Sequence, residues 1–535
     1  MTERFDVVVL GTGAAGLTAA LAAAHEGAEV GLFEKGEKIG GTTALSSAVV
    51  WLPDNRFARE AGVADSRQEG LDYLASLSHG LILPELAEAL VDTGAELVDW
   101  LESSTPVHFQ LVHGFPDYHP EHPGGKPDGG RSIEPVLFSY DTIPGWTDRV
   151  VGTPRRMCVA DTPTGGGTGV IQPDELVHRE AGSLEGLGRA LIGSLLAGCL
   201  ERGVEPVTST RASRLVIEDG RVTAVVVEGP DGTARTVGAS AVVIATGGFE
   251  YDGGLVRDFL RGPMRAPAGV PTNTGDGLRM AMRVGAQLGN MREAWWVPVI
   301  ELPGERPDGG NNVFLVLRER TLPRSIMVND QGRRFTNEAA NYNALGGAFH
   351  AFDPSRFRYL NQPCWLVFDE EFVQRYGCFG NGPGSPVPEF IRRALSLAEL
   401  ATMIGVPSPE LEETVSRWNK MADAGHDDDF DRGDSAYDGW CGDRSAYPGP
   451  LATLGPIDTA PYYAVELVSS TLGTKGGPRT DVDGNVLDVD GRPIPGLFAA
   501  GNAMAGPTGM VYGGAGGTLG PAMVFGYRAG RAAAR

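Results

Sequence analysis

One phenol, Tyr512, stands in residues 502–520, Asn-Ala-Met-Ala-Gly-Pro-Thr-Gly-Met-Val-Tyr-Gly-Gly-Ala-Gly-Gly-Thr-Leu-Gly. Glycines lack a Cβ, so the backbone N–H groups beside this tyrosine are uncovered and a ligand can approach the main chain closely. A phenol next to bare amides can grip a carbonyl oxygen that gains negative charge during a reaction. At the other end of the chain, Gly11-Thr-Gly-Ala-Ala-Gly16 has the spacing of a dinucleotide loop. The two ends are expected to build one site.

The loop requires a particular setting, and the sequence supplies it. Phe5 to Leu10 is a short apolar run with β-branched residues, which predicts a buried parallel strand. An Ala/Leu-rich helix to about Glu26 follows the glycines, then a strand from Ala28 to Phe33, and then Glu34. In this strand–turn–helix–strand–acid order, Gly11 permits the tight turn, Gly13 lets a pyrophosphate reach the backbone, and Gly16 lets helix and strand pack. The phosphates are expected at the helix N-terminus, beside Ala14 and Ala15. Glu34 is expected to accept hydrogen bonds from ribose hydroxyls, with Lys35 next to it.

A second glycine and hydroxyl cluster follows at Gly40-Gly41-Thr42-Thr43-Ala44-Leu45-Ser46-Ser47. Residues 67–103 and 186–203 are predicted helical, and residues 111–185 are predicted to form long Gly/Pro-rich loops near a site. Residues 206–245 alternate as strands, with turns at 218–220 and 230–232, and end in Ala241-Val-Val-Ile-Ala-Thr-Gly-Gly248. Beyond about 300 the pattern changes. Strands are predicted at Ser325 to Asn329 and Cys364 to Phe368, helices at 388–403 and 408–422, and an acidic surface loop at 423–450. The final helix begins near Pro521. The fold class is therefore α/β with an α+β second domain. A Rossmann-like nucleotide domain is expected over 1–300 and 471–535, interrupted by a catalytic or capping domain at 301–470.

With 42% hydrophobic and 21% charged residues, the chain has the composition of a globular protein. Its 45 basic and 68 acidic side chains leave a net charge of −23, which disfavours a nucleic-acid partner. The five cysteines, Cys158, Cys199, Cys364, Cys378 and Cys441, are scattered and odd in number. They point to neither a disulfide framework nor a metal site, and a reducing cytoplasm is the expected location. No run has the character of a signal peptide or reaches the roughly 18 apolar residues of a spanning helix. Contact with a membrane surface stays open.

The ordered set of glycine loop, Gly41-Thr42-Thr43, Ala245-Thr246-Gly247, Thr272-Asn-Thr-Gly-Asp276-Gly and Ala499-Ala-Gly501-Asn502 resembles the FAD-dependent flavoproteins of the succinate dehydrogenase/fumarate reductase superfamily. The resemblance implies FAD as cofactor, with Ser46, Gly517, Thr518 and Leu519 among the residues around it. No histidine stands in residues 40–55, where some members attach FAD covalently, so the cofactor is expected to be noncovalent. Gly332-Arg-Arg-Phe335-Thr-Asn-Glu338 is similar to a superfamily motif. However, the preceding segment is Leu322-Pro-Arg-Ser-Ile-Met rather than that of the dicarboxylate reductases. Arg324 is the only cation read nearby, so the site is expected to be phenolic and apolar and to suit a neutral ketone.

Within the superfamily, Asn337-Glu-Ala-Ala-Asn-Tyr342, Phe115-Pro-Asp-Tyr118 and Gly130-Arg-Ser-Ile-Glu-Pro135 resemble the 3-ketosteroid Δ1-dehydrogenases. Gly473-Thr-Lys-Gly-Gly477, Arg479-Thr-Asp481 and Gly520-Pro-Ala-Met523 are also similar to that family. The resemblance implies that Tyr342 takes a proton, that Tyr118 assists it, and that Tyr512 with the Gly516 N–H holds the ketone oxygen. It further implies a small hydrophobic 3-ketosteroid as substrate and a quinone or another molecule as electron acceptor. The family often has Tyr-Pro-Gly-Pro-Gly where this chain has Tyr512-Gly-Gly-Ala-Gly516, and the lost prolines are expected to loosen the loop. Rival readings are a Δ4-forming or fumarate-reductase-like flavoenzyme and a flavin-binding redox sensor without turnover. Trp295 and Trp296 either line the cleft or pack in the core, and Arg334 with Glu338 fits a structural ion pair equally well. Asp427-Asp-Asp429 is expected to be a solvated loop, and His113, His119 and His122 to be exposed.

Overall fold

The computed structural model describes residues 3–535; the first two residues of the expected 1–300 segment lie outside the described residues. The strand Arg4–Leu10 is at the centre of a parallel sheet, as its apolar run requires. It pairs with Val30–Phe33 on one side and Ala234–Ile244 on the other, and the sheet extends to Pro206–Val207 and Pro493–Ala499. Ala234–Ile244 is long enough to serve twice. Its first half pairs antiparallel with the hairpin strand Arg221–Glu228, and its second half enters the parallel sheet. Parallel strands are covered on both faces, which is why Val7, Val8, Val242, Val243 and Ile244 are fully buried.

Small residues bring the two ends of the chain together. Helix Ala14–His25 packs along the last helix, Leu519–Ala533. A Cβ on Gly526 would meet the Ala15 carbonyl oxygen at 2.5 Å, and one on Gly530 would meet that of Ala19 at 2.2 Å. This contact sets residues 502–518 against the glycine loop at 11–16.

The second sheet is antiparallel, in the order Asn311–Leu315, Ala294–Glu305, Tyr462–Thr474, Cys364–Asp369, Ser325–Val328. Its long strands cross the boundaries expected at 300 and 470, so this sheet starts at Ala294 and ends at Thr474. The helix expected over 388–403 is shorter. Arg392–Ala394 instead pairs as an edge strand with Tyr462–Ala464, and the helix Leu397–Ile404 starts after Ser396, whose hydroxyl caps the Glu399 N–H. Available strand pairing outweighs local helix preference there. The Gly/Pro-rich stretch 111–185 also contains a helix, Pro173–Ala181, with no buried residue. Among the described residues no helix is long and apolar enough to cross a membrane.

Segment 423–450 is a surface loop only in part, with Asp428 and Asp429 exposed. It carries the helix Ala436–Cys441 and buries Asp427, Arg432, Tyr437 and Asp438. Asp427 accepts from both terminal nitrogens of Arg334 at 2.8 and 2.7 Å, and Arg334 also grips Glu338 at 2.8 and 2.7 Å. Asp427, Asp438 and Asp443 are buried, whereas Asp423, Asp428, Asp429, Asp431 and Asp434 are exposed.

Candidate active site

A cavity of about 510 Å³ opens where the parallel strands end at their carboxyl termini. Leu10 and Gly11, Phe33 and Glu34, Ala245 to Gly247, and Gly501 with Asn502 all line it. The glycine cradle leaves no room for side chains. A Cβ on Gly11 would lie 2.3 Å from the Ala245 carbonyl oxygen, and one on Gly16 2.0 Å from that of Gly11. Gly13 lines the floor and precedes the first turn of helix Ala14–His25, whose N-terminus faces the cavity. Thr43 Oγ1 accepts the Ala14 N–H at 3.1 Å. Thr246 Oγ1 is buried on the cavity wall without a partner, as suits a polar cofactor.

Glu34 accepts from Thr12 N and Oγ1 at 3.0 and 2.6 Å and from Gly36 N at 2.8 Å. Burial still raises its carboxyl above the usual range. Lys35 and Asp276 both border the cavity but pair with each other at 2.9 Å, and Arg211 holds Asp276 from outside at 2.6 Å. Gly41, Thr42, Thr43, Ser46, Ala15, Thr518 and Leu519 also line the cavity, whereas Gly16 and Gly517 do not. Gly16 serves helix–strand packing, and the Gly517 N–H bonds the Gly514 carbonyl at 2.9 Å. This shape, lining and donor set fit FAD.

The three expected tyrosines converge at the other end of the cavity. Tyr118 donates to the Tyr342 hydroxyl at 3.0 Å. The ring of Tyr512 lies 5.0 Å from Tyr118 and 5.4 Å from Tyr342, centroid to centroid. Thr518 Oγ1 donates to the Tyr512 hydroxyl at 3.1 Å, which leaves the phenolic proton free to point into the cavity. Among the described residues nothing accepts the Gly516 N–H, and Gly516 lines the cavity at φ +95°. Burial pushes Tyr118 and Tyr342 well above the ordinary phenol range and raises Tyr512 as well. No arginine bonds any of these three phenols among the described residues.

The surrounding structure fixes each phenol. Asp117, next to Tyr118, accepts from Trp51 Nε1 at 2.7 Å and from Arg131 at 2.8 Å, and burial raises its carboxyl to about 6. Tyr342 is flanked by two asparagines that bind its neighbours. Asn341 donates to His119 Nε2 at 3.0 Å, and Asn343 donates to the Met510 carbonyl at 3.2 Å. His119 is therefore not an exposed loop histidine. It is half-buried, with its pKa lowered to about 4 chiefly by burial, and is neutral near pH 7. Lys475, buried and lowered by desolvation to about 7, donates to the carbonyls of Gly509 and Val511 at 3.2 and 2.6 Å.

The glycine-rich loop after Tyr512 is tied down, contrary to the expected loosening. Tyr73 and the Tyr118 N–H bond the Gly513 carbonyl at 2.6 and 2.9 Å, and Ser132 bonds that of Ala515 at 2.9 Å. A Cβ on Gly514 would meet the Trp51 indole at 2.4 Å. Here glycine lets the indole lie against the loop, and the packing replaces the rigidity of proline.

Trp295 and Trp296 project to opposite faces of their strand. Trp295 packs edge-on against Tyr512 at 4.8 Å and donates to Asn502 at 2.9 Å, while Trp296 packs against His350. Arg324 is committed to Asp369 and Glu371, away from the cavity. Besides Lys35, which pairs with Asp276, the cations that line the cavity are Arg155 and Arg318, so the site is not purely phenolic and apolar. Tyr437, whose ring lies 4.9 Å from Tyr118, is a fourth phenol there. Neither arginine nor Tyr437 stands in a local pattern that marks it in the sequence.

The sequence model of a family described as FAD binding domain matches residues 6–519. The 4-oxocyclohexanecarboxylate 2-dehydrogenase of Sinomonas cyclohexanicum is 42% identical over 99% of this chain and 92% of its own. The 3-oxosteroid 1-dehydrogenase of Mycobacterium tuberculosis is 38% identical over 98% of both chains. Among solved structures, the 3-ketosteroid Δ1-dehydrogenase of Sterolibacterium denitrificans, in complex with 1,4-androstadiene-3,17-dione, superposes with a TM-score of 0.91. It covers all of both chains at 34% identity.

Proposed function

Because this chain belongs to the FAD-binding flavoprotein family that includes the 3-oxosteroid 1-dehydrogenases, we propose that it removes two hydrogens beside a ring ketone, the 1,2-desaturation of a 3-ketosteroid. It is an FAD-dependent oxidoreductase acting on CH–CH bonds. The observation that carries this reading is the convergence of Tyr118, Tyr342 and Tyr512 on one cavity with the unpartnered Gly516 N–H.

The parallel-sheet body acts as a Rossmann-like domain, interrupted by the second sheet as a cap over the substrate. FAD is held noncovalently by the loop Gly11 to Gly16, by Glu34, and by the Thr42–Thr43, Thr246–Gly247 and Gly501–Asn502 segments. When bound, it supplies the two-electron acceptor for a hydride from C1. The Tyr512 hydroxyl and the Gly516 N–H donate to the ketone oxygen, and each such donor is worth about 2.7–4 kcal/mol of barrier. Tyr342 removes the C2 proton, and the C–H electrons enter the C1–C2 bond as the C1 hydride departs. Tyr118 donates to the Tyr342 oxygen and so stabilises the phenolate form that acts as the base. Phe115, Leu187, Leu315 and Leu472 give the apolar walls a steroid ring system requires.

Turnover of androst-4-ene-3,17-dione with an artificial electron acceptor tests this against reduction of fumarate by reduced viologen. The steroid is expected to be desaturated and fumarate left untouched. Fumarate reduction without steroid turnover would overturn the reading.

A further inference from the structure

Arginines in this fold are generally neutralised where they are buried. Arg131 faces Asp65 and Asp117, Arg189 faces Glu185, and Arg334 and Arg432 face Glu338. Such pairing is what burial of a charge demands. Arg320, fully buried, is satisfied by backbone carbonyls instead. The half-buried Arg318 and the exposed Arg155 line the cavity with no carboxylate partner among the described residues, in a chain whose net charge is −23.

Arg318 lines the cavity and donates only to the Gly442 carbonyl, at 3.3 Å. Its neighbour Glu319 makes no ion pair with it among the described residues. Arg155 also lines the cavity, and its guanidinium has no hydrogen bond or ion pair among the described residues. Arg444 lies near Arg318 but does not line the cavity. Its guanidinium lies 3.2 Å from the centre of the Trp440 ring, and its Nη1 is buried without a partner. Burial, with the nearby charge of Arg318, holds it below the usual arginine range. Trp440 in turn donates to the carbonyl of Thr164, a residue of the cavity wall.

Arg318 and Arg155 line the same cavity as the phenols. Tyr437, against Tyr118, and Cys441 stand four residues apart on one helix, about 6 Å along its axis. The next residue, Gly442, is the one Arg318 binds. A ketone held at Tyr512 therefore shares its cavity with guanidinium groups, which suit a carboxylate by charge and by their planar fork of donors.

We infer that Arg318 and Arg155 form a carboxylate subsite, and that the preferred substrate is a ring ketone bearing a carboxylate remote from its carbonyl. This rests on the desaturase reading above. The carboxylate can belong to a single ring or to a steroid acid, and the chemistry at the arginines is the same for both.

The test compares kcat/KM of the FAD-loaded enzyme for two acid–ester pairs. These are 4-oxocyclohexanecarboxylate and 3-oxoandrost-4-ene-17β-carboxylate, each against its methyl ester. At least one acid is expected to exceed its ester tenfold or more, and the pair that does so identifies the ring system. Arg318→Gln and the exposed Arg155→Gln are each expected to cut that acid-to-ester ratio at least fivefold, mainly through KM, with FAD retained. Esters turned over as well as acids in both pairs, or a ratio unchanged in both variants, would overturn the subsite and leave the desaturase reading standing. No flavin reduction by any of the four compounds would remove both.

Discussion

Two buried polar clusters grow from residues 334–343, and they follow opposite plans. At one end of the segment, Arg334, Glu338, Asp427 and Arg432 form a mutually neutralised ionic group whose carboxylate also accepts the Met327 N–H at 3.1 Å. Four residues after Glu338, Tyr342 enters a group of phenols that line the cavity and hold only two hydrogen bonds, Tyr118 to Tyr342 and Thr518 to Tyr512. The ionic group has almost all of its valences filled and does no chemistry. The phenolic group leaves a hydroxyl proton and an amide N–H unspent. Arg320 links the two by donating to the carbonyls of Glu338 and Ala340 (the latter at 2.7 Å), so the rigid cluster fixes the backbone that presents Tyr342. Satisfied polar groups mark support, and unsatisfied ones mark where a ligand completes the structure.

Replacing Glu338 with Ala attacks the support. Arg432 then loses its only carboxylate partner among the described residues, and the loss is expected to be about 3–5 kcal/mol in the urea-unfolding free energy. Lost turnover at unchanged stability would erase the distinction between the clusters. Tyr118→Phe attacks the phenols instead. It is expected to leave the unfolding midpoint nearly in place and to slow flavin reduction on the order of ten- to a hundredfold, below the full worth of a general base.

The pH profile sharpens the same contrast. A base whose pKa is raised by burial is protonated at neutral pH, so the rate of flavin reduction is expected to rise about tenfold per pH unit on the acid side. Burial also gives stability its opposite sign. Phenols with raised folded pKa values contribute stability that is fully present below about pH 10 and is lost as pH rises further. A rate that stays flat with pH would remove a phenol as the base. The smallest effect is expected from Thr518→Val. It deletes one hydrogen bond to Tyr512, worth about 1 kcal/mol, and should slow flavin reduction about fivefold.

The nucleotide end was legible because its signals are local. A strand, three spaced glycines, a helix and Glu34 lie within 34 residues, and each has a steric or electrostatic duty that sequence alone displays. Tyr118, Tyr342 and Tyr512 were reachable only through motif resemblance, since they stand 224 and 170 residues apart and meet through the fold. Tyr437, Arg155 and Arg318 were missed for the same reason without a motif to compensate. Asp427 was misread because its partner, Arg334, is 93 residues away. The Arg392–Ala394 strand was misread because its partner is the distant Tyr462–Thr474.

The most direct test of the phenolic mechanism is the rate at which a ring ketone bleaches the bound flavin anaerobically in Tyr342→Phe and Tyr512→Phe. Both variants are expected to keep FAD and to lose about 10²-fold or more in that rate. Either variant bleaching as fast as the parent enzyme would contradict the account.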